Sequence, residues 1–167
     1  MEIRLDGGNT GGAVRVGDTV RRASGPWTPA VHALLAHLAG AGFAGSPRPL
    51  GFDARGREVL TFLAGETVGS TRPWPGWVYA EDTLRQVARW MRSFHRAVAD
   101  FAPPPDAVWR MGGQWAPGLI VGHNDTAPYN AVSDHATYSP TSTTMESSGR
   151  RSRGNGRAYG GATRYPL

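Results

Sequence analysis

The segment Gly122-His123-Asn124-Asp125-Thr126-Ala127-Pro128-Tyr129-Asn130 holds the densest group of chemically capable side chains in the sequence. Asp125 offers a carboxylate that can orient a hydroxyl and accept its proton. Asn130, five positions on, offers a neutral amide oxygen suited to a hard cation such as Mg²⁺. Phosphoryl transfer needs both groups, one for the attacking hydroxyl and one to hold metal against phosphates. A plainer reading stands beside it, in which Asp125 caps a turn and Asn130 satisfies backbone groups of the loop.

The elements that must position this segment can be read from patterning. Ala13–Val16 and Thr19–Arg22 flank Gly17-Asp18 as a hairpin, with Val20 and Arg22 on one face and Arg21 on the other. Upstream, Gly7, Gly8, Gly11 and Gly12 would let a loop approach nucleotide phosphates closely. Thr28 before Pro29 predicts a helix start with Thr28 as N-cap. Val31, Leu34, Leu35 and Leu38 then recur at helical spacing until Gly40 and Gly42. A second hairpin is expected from Leu50–Phe52 and Glu58–Leu63. Pro and Trp residues from Arg72 to Trp77 predict a loop. Glu81 and Asp82 then open a long helix turning Leu84, Val87, Ala88, Met91, Phe94, His95 and Val98 inward. Leu119-Ile120-Val121 reads as a short strand feeding the loaded loop.

The spacing His123-x-Asp125-x-x-x-x-Asn130 after that strand, together with the order of the preceding elements, resembles the aminoglycoside phosphotransferase and choline kinase group of protein-kinase-like enzymes over about four fifths of the chain. The resemblance implies an α+β, protein-kinase-like fold. Residues 1–66 would form a small β-rich, nucleotide-binding N-terminal lobe, residues 67–132 an incomplete helical C-terminal lobe, and residues 133–167 a disordered tail. It also implies transfer of a nucleotide γ-phosphate, from ATP or GTP with Mg²⁺, to a small hydroxylated substrate. Asp125 would be the catalytic base, Asn130 a metal ligand and His123 a structural residue of the loop. Gly8, Gly11 and Gly12 would lie at the phosphates, with Arg22 in the place of the family's phosphate-binding lysine and Arg21 as runner-up. Phe62 and Leu63 would stand at the hinge, whose backbone amides meet the adenine.

Two departures from that family pattern bear on activity. Val31 and His32 occupy the helix positions where a glutamate would pair with the basic residue. No Asp-aromatic-Asp motif follows Asn130, where Asp134 and Glu146 are the remaining acids. The expected chain is therefore incomplete and inactive, its C-terminal part lost or replaced, as by a frameshift after Val132. The alternative is a non-catalytic nucleotide-binding remnant. A metallohydrolase built on the His-Asn-Asp run is disfavoured, because His32, His37, His95 and His135 lack the preceding Asp-x that such a site requires.

Composition narrows the remaining classes. All 18 basic residues are arginine and cysteine is absent, so lysine chemistry, disulfides and thiolate ligands are excluded. The net charge of +5 divides into +2 for residues 1–132 and +3 for the last 35, and neither carries an aromatic-basic pattern, so no nucleic-acid partner is expected. No apolar run spans a membrane and the N-terminus lacks a secretory signal, so a cytoplasmic protein is expected. After Val132 there is no Val, Ile, Phe or Trp, which predicts a segment without a core.

Overall fold

A computed structural model describes residues 1–5, 12–69 and 72–133 in full, and 138–140 and 145–149 as backbone. Its main layer is a five-stranded antiparallel sheet of order β1-β2-β3-β5-β4, with β1 at Ile3–Arg4, β2 at Val14–Val16, β3 at Thr19–Arg22, β4 at Pro49–Phe52 and β5 at Glu58–Thr61. β2 and β3 pair Val16 with Thr19 across Gly17-Asp18, and Gly17 takes the positive φ of 58° that this tight turn requires. β5 inserts between β3 and β4, setting Arg22, Glu58 and Phe52 in one row across the sheet. The β4–β5 turn is closed by the Asp53 carboxylate, which accepts hydrogen bonds from the amides of Arg55 and Arg57 at 2.9 and 3.0 Å.

Helix α1, Thr28–Gly40, buries Ala30, Val31, Leu34, Leu35 and Leu38, the face that the helical spacing predicts. Its start differs from the expected one. Thr28 is already helical and buried, and its hydroxyl accepts the Gly25 amide at 2.9 Å, so it fastens the approach to the helix instead of capping it. At the other end Gly42, at φ 72°, reverses the chain while the Phe43 amide donates to the Leu38 carbonyl at 2.9 Å.

Helix α2, Glu81–Ala97, follows a single 3₁₀ turn at Gly76–Tyr79. Its buried residues are Trp90 and Phe94, with Val98 just beyond its end. Val87, Met91 and His95 are half-buried, while Leu84 and Ala88 face outward, so the inward face lies further round the helix than Leu84 and Ala88 suggested. Trp90 accounts for the rotation. Its indole N–H donates to the Gly45 carbonyl at 2.9 Å, and its ring stacks on Phe94 with centroids 5.1 Å apart. His37 of α1 bonds the Ala97 carbonyl through Nε2 at 2.8 Å and so ties the two helices together. One core results, joining α1, Leu60, Trp90, Phe94, Val98, Phe101, Trp109 and Val121.

Among the described residues, short strands and one 3₁₀ turn follow α2. β6, Leu119–His123, pairs with β9, Met145–Gly149, and β7, Ala131–Ser133, pairs with β8, Tyr138–Pro140. Two strands thus lie in the segment expected as a disordered tail, and the rest of that segment falls outside the described residues. The expected protein-kinase-like fold with two lobes is corrected here: the described residues form a small, mostly-sheet domain with two α-helices. The physical reason is that, among the described residues, no helix longer than a 3₁₀ turn follows α2, so nothing is available to build a helical second lobe. No described helix is long and apolar enough to cross a membrane.

The contrast between the two helices gives a direct test of the core. Leu34 is fully buried, and Leu34→Ala should lower unfolding free energy by about 2–5 kcal/mol in urea titration. Leu84 is 68% exposed, and Leu84→Ala should move it by less than about 0.5 kcal/mol.

Candidate functional site

The loop from β6 to β7 is built from the strand outward. Val121 and His123 are buried, and the His123 ring meets Trp90 edge-on at 5.6 Å, so the core fixes where the loop departs. Pro128–Asn130 then forms a 3₁₀ turn, closed by the Asn130 amide donating to the Ala127 carbonyl at 2.9 Å. Asn130 is buried, and its side-chain amide donates to the Asp125 carbonyl at 3.4 Å. The Tyr129 hydroxyl donates to Asp125 Oδ1, also at 3.4 Å. The structure therefore brings Asp125 and Asn130 together on one loop.

A second segment joins this loop. Glu66 and Ser133 exchange two backbone hydrogen bonds of 2.8 Å, and the Thr67 hydroxyl donates to the Tyr129 carbonyl at 3.4 Å. Gly65 makes the approach possible. Its φ is 134°, and a β-carbon there would stand 2.5 Å from Val132 Cγ1 and 2.9 Å from the Ser133 carbonyl oxygen. The Trp74 ring lies 6.1 Å from that of Tyr129, and the Arg72 guanidinium sits 4.2 Å above Trp74. Asp125, Tyr129, Trp74, Arg72 and Thr67 thus belong to one chain of contacts, polar on the loop side and aromatic on the other.

Arg22 belongs to a different cluster. Its Nε donates to Glu58 Oε1, while His32 Nε2 lies 3.2 Å from Glu58 Oε2. The Glu58 side chain is 3% exposed and the Phe52 ring covers His32 at 5.2 Å between centroids. Arg22 Nη2 is buried without a hydrogen-bond partner among the described residues. Burial pushes the Glu58 carboxyl up, but the His32 hydrogen bond and the charge and hydrogen bond of Arg22 outweigh it and hold the carboxyl below its ordinary value. Arg21 points to the other face, bonded to the Thr19 hydroxyl and 3.8 Å from Asp53.

The remaining sequence-predicted residues divide between the two regions. The amide of Phe62, at the expected hinge, donates to the Asp18 carbonyl at 2.9 Å, and the Phe62 ring lies 3.8 Å beneath the Arg15 guanidinium. Leu63 is half-buried beside it, and Gly12 takes a φ of 44° ahead of β2. Gly8 and Gly11 lie outside the described residues. No ion pair or hydrogen bond joins Arg22 to Asp125 among the described residues. No group of three or more His, Asp or Glu residues there could hold a metal ion. Sequence reasoning missed Glu58 as the partner of Arg22, and the available signal was its acidic side chain in an otherwise apolar strand.

Comparison with known proteins supplies the next observation. The chain is 40% identical over 136 residues to the trifolitoxin immunity protein of Rhizobium leguminosarum bv. trifolii. The match covers 78% of this chain and 50% of that protein, so the chain spans about half the length of this relative. No family model matches, and no solved structure matches. The relative corrects the aminoglycoside phosphotransferase and choline kinase resemblance, because a protein 40% identical over 78% of this chain carries an immunity name. Kinase activity, ATP binding and a magnesium site draw no support from it. Neither does the reading as a nucleotide-binding remnant.

Two predictions follow from the paired clusters. Glu58 is held ionised below its ordinary value of 4.5, so its stabilising contribution is complete above that value and is lost as pH falls through the lower folded value. Urea midpoints followed from neutral pH downward should fall in this window for the parent chain. Glu58→Gln should cost about 3–5 kcal/mol at neutral pH, by leaving the Arg22 charge unpaired, and should flatten the acid limb. Gly65→Ala should cost about 1–3 kcal/mol through its backbone conformation and the close contact with Val132, and should speed hydrogen exchange at the Glu66 and Ser133 amides.

Proposed function

We propose that this chain serves an immunity function, protecting the bacterium that makes it from a toxin of the kind named for its relative. The observation that carries the proposal is the 40% identity over 136 residues to the trifolitoxin immunity protein. That extent of identity reaches beyond any single motif, since it covers 78% of the chain and, in any placement, the whole of α2. The geometry is compatible with such a role. Arg22 is occupied by Glu58, and the Phe62 amide by the Asp18 carbonyl, so both groups serve the fold. Residence in the cytoplasm is part of the same proposal, and the toxin is the partner it implies.

Expression of the chain in a bacterium sensitive to trifolitoxin tests the reading. Cells making it should grow at toxin concentrations that halt cells carrying the empty vector, and the Leu34→Ala chain, with its core weakened, should protect less. Equal inhibition of both cultures, with the parent chain present in soluble form, would reject the proposal. Fractionation of the same cells locates the protein, and recovery outside the cytoplasmic fraction would reject that part.

A further inference from the structure

Helix α2 carries a row of side chains that stand exposed. Arg85, Arg89, Arg92 and Arg96 recur at intervals of four, three and four residues, which places them in one row, and all four are exposed. Arg85 is paired with Glu81 at 2.7 Å and Asp82 at 3.2 Å. Arg89, Arg92 and Arg96 have no acidic partner among the described residues. Like charges at these spacings destabilise a helix, so the row opposes the stability of the element that carries it. Such a local conflict marks a surface whose complement lies elsewhere.

Beside that row runs a second one. Leu84, Ala88, Met91 and His95 repeat the same four-three-four spacing, which is that of the a and d positions of a helix seam. Leu84 is 68% exposed, Ala88 is exposed, and Met91 and His95 are half-buried. At about 100° per residue this row falls between the arginines and the side of α2 buried by Trp90 and Phe94.

We propose that this face docks an acidic amphipathic helix, whose apolar side lies along Leu84, Ala88 and Met91 and whose carboxylates meet Arg85, Arg89 and Arg92. The order of the rows selects this occupant over an anionic membrane. A helix lying on a bilayer turns its apolar row outermost, with cations at both shoulders. On α2 the arginines are outermost and the apolar row occupies one shoulder, where a second helix can lie with its acidic flank over the arginines.

The test uses the full chain with a synthetic amphipathic helix that carries leucine at a and d and glutamate at e and g. A second peptide carries lysine in place of glutamate, and phosphatidylserine-containing vesicles provide the membrane arm. Calorimetry should show binding of the acidic peptide that weakens as salt is raised, with no binding of the basic one. Arg89→Glu combined with Arg92→Glu should weaken it at least about tenfold, equivalent to about 1.4 kcal/mol. Leu84→Ser, which keeps every arginine, should weaken it as well. The proposal is overturned if the acidic peptide fails to bind, if both peptides bind equally, if the substitutions leave affinity unchanged, or if the vesicles capture the chain and the peptide does not.

Discussion

Trp90 is the side chain on which the arrangement of the other elements depends. Its indole N–H must find an acceptor once the ring is buried, and the Gly45 carbonyl supplies it at 2.9 Å. A β-carbon at Gly45 would collide with the indole, so the segment leaving α1 can reach the ring only through glycine. The same ring stacks on Phe94, meets Phe43 edge-on at 5.6 Å and receives the His123 ring at 5.6 Å. One residue of α2 therefore sets the exit from α1, the rotation of its own helix and the end of β6. The position of the Asp125 loop is a consequence of that packing.

Charge is handled by a separate device at the other face of α1. Burying Glu58 alone would be costly, as would burying Arg22 alone. Strand order removes the conflict by placing β5 directly beside β3, and the helix adds His32 to the second carboxylate oxygen. The two networks have different sensitivities. The Trp90 cluster responds to volume and shape, while the Glu58 cluster responds to protonation and to the loss of a single partner.

Much of the local structure was legible in the sequence, and the reason is that its determinants are local. The Leu34, Leu35 and Leu38 stripe, the Gly17 turn and the stop at Gly42 each rest on residues within one turn of one another. What escaped depends on neighbours distant in sequence. Nothing near Arg22 reveals that Glu58, 36 residues on, will stand beside it, because that requires β5 rather than β4 to pair with β3. Leu84 and Ala88 read as inward because periodicity gives a face without its direction. Trp90 was passed over, although as the largest side chain on α2 it has most to gain from burial.

The His123-to-Asn130 segment has local determinants of its own, and it shows how the polar residues of a loop can serve the turn that carries them. Pro128 opens a 3₁₀ turn, which places Asn130 where its side-chain amide reaches back to the Asp125 carbonyl. That bond spans Asp125 to Asn130 within the connection between two strands, and an asparagine serves it well because its side chain carries both a donor and an acceptor. An aspartate at the loop's start can take the hydroxyl of Tyr129. Both residue types, at this interval, satisfy polar groups in a tight connection whose amide end is buried. A motif of two polar residues reports such a turn as readily as it reports an active site. Only the surrounding groups separate the two, and around this loop the structure offers Tyr129, Trp74 and Arg72, with Arg22 engaged elsewhere by Glu58.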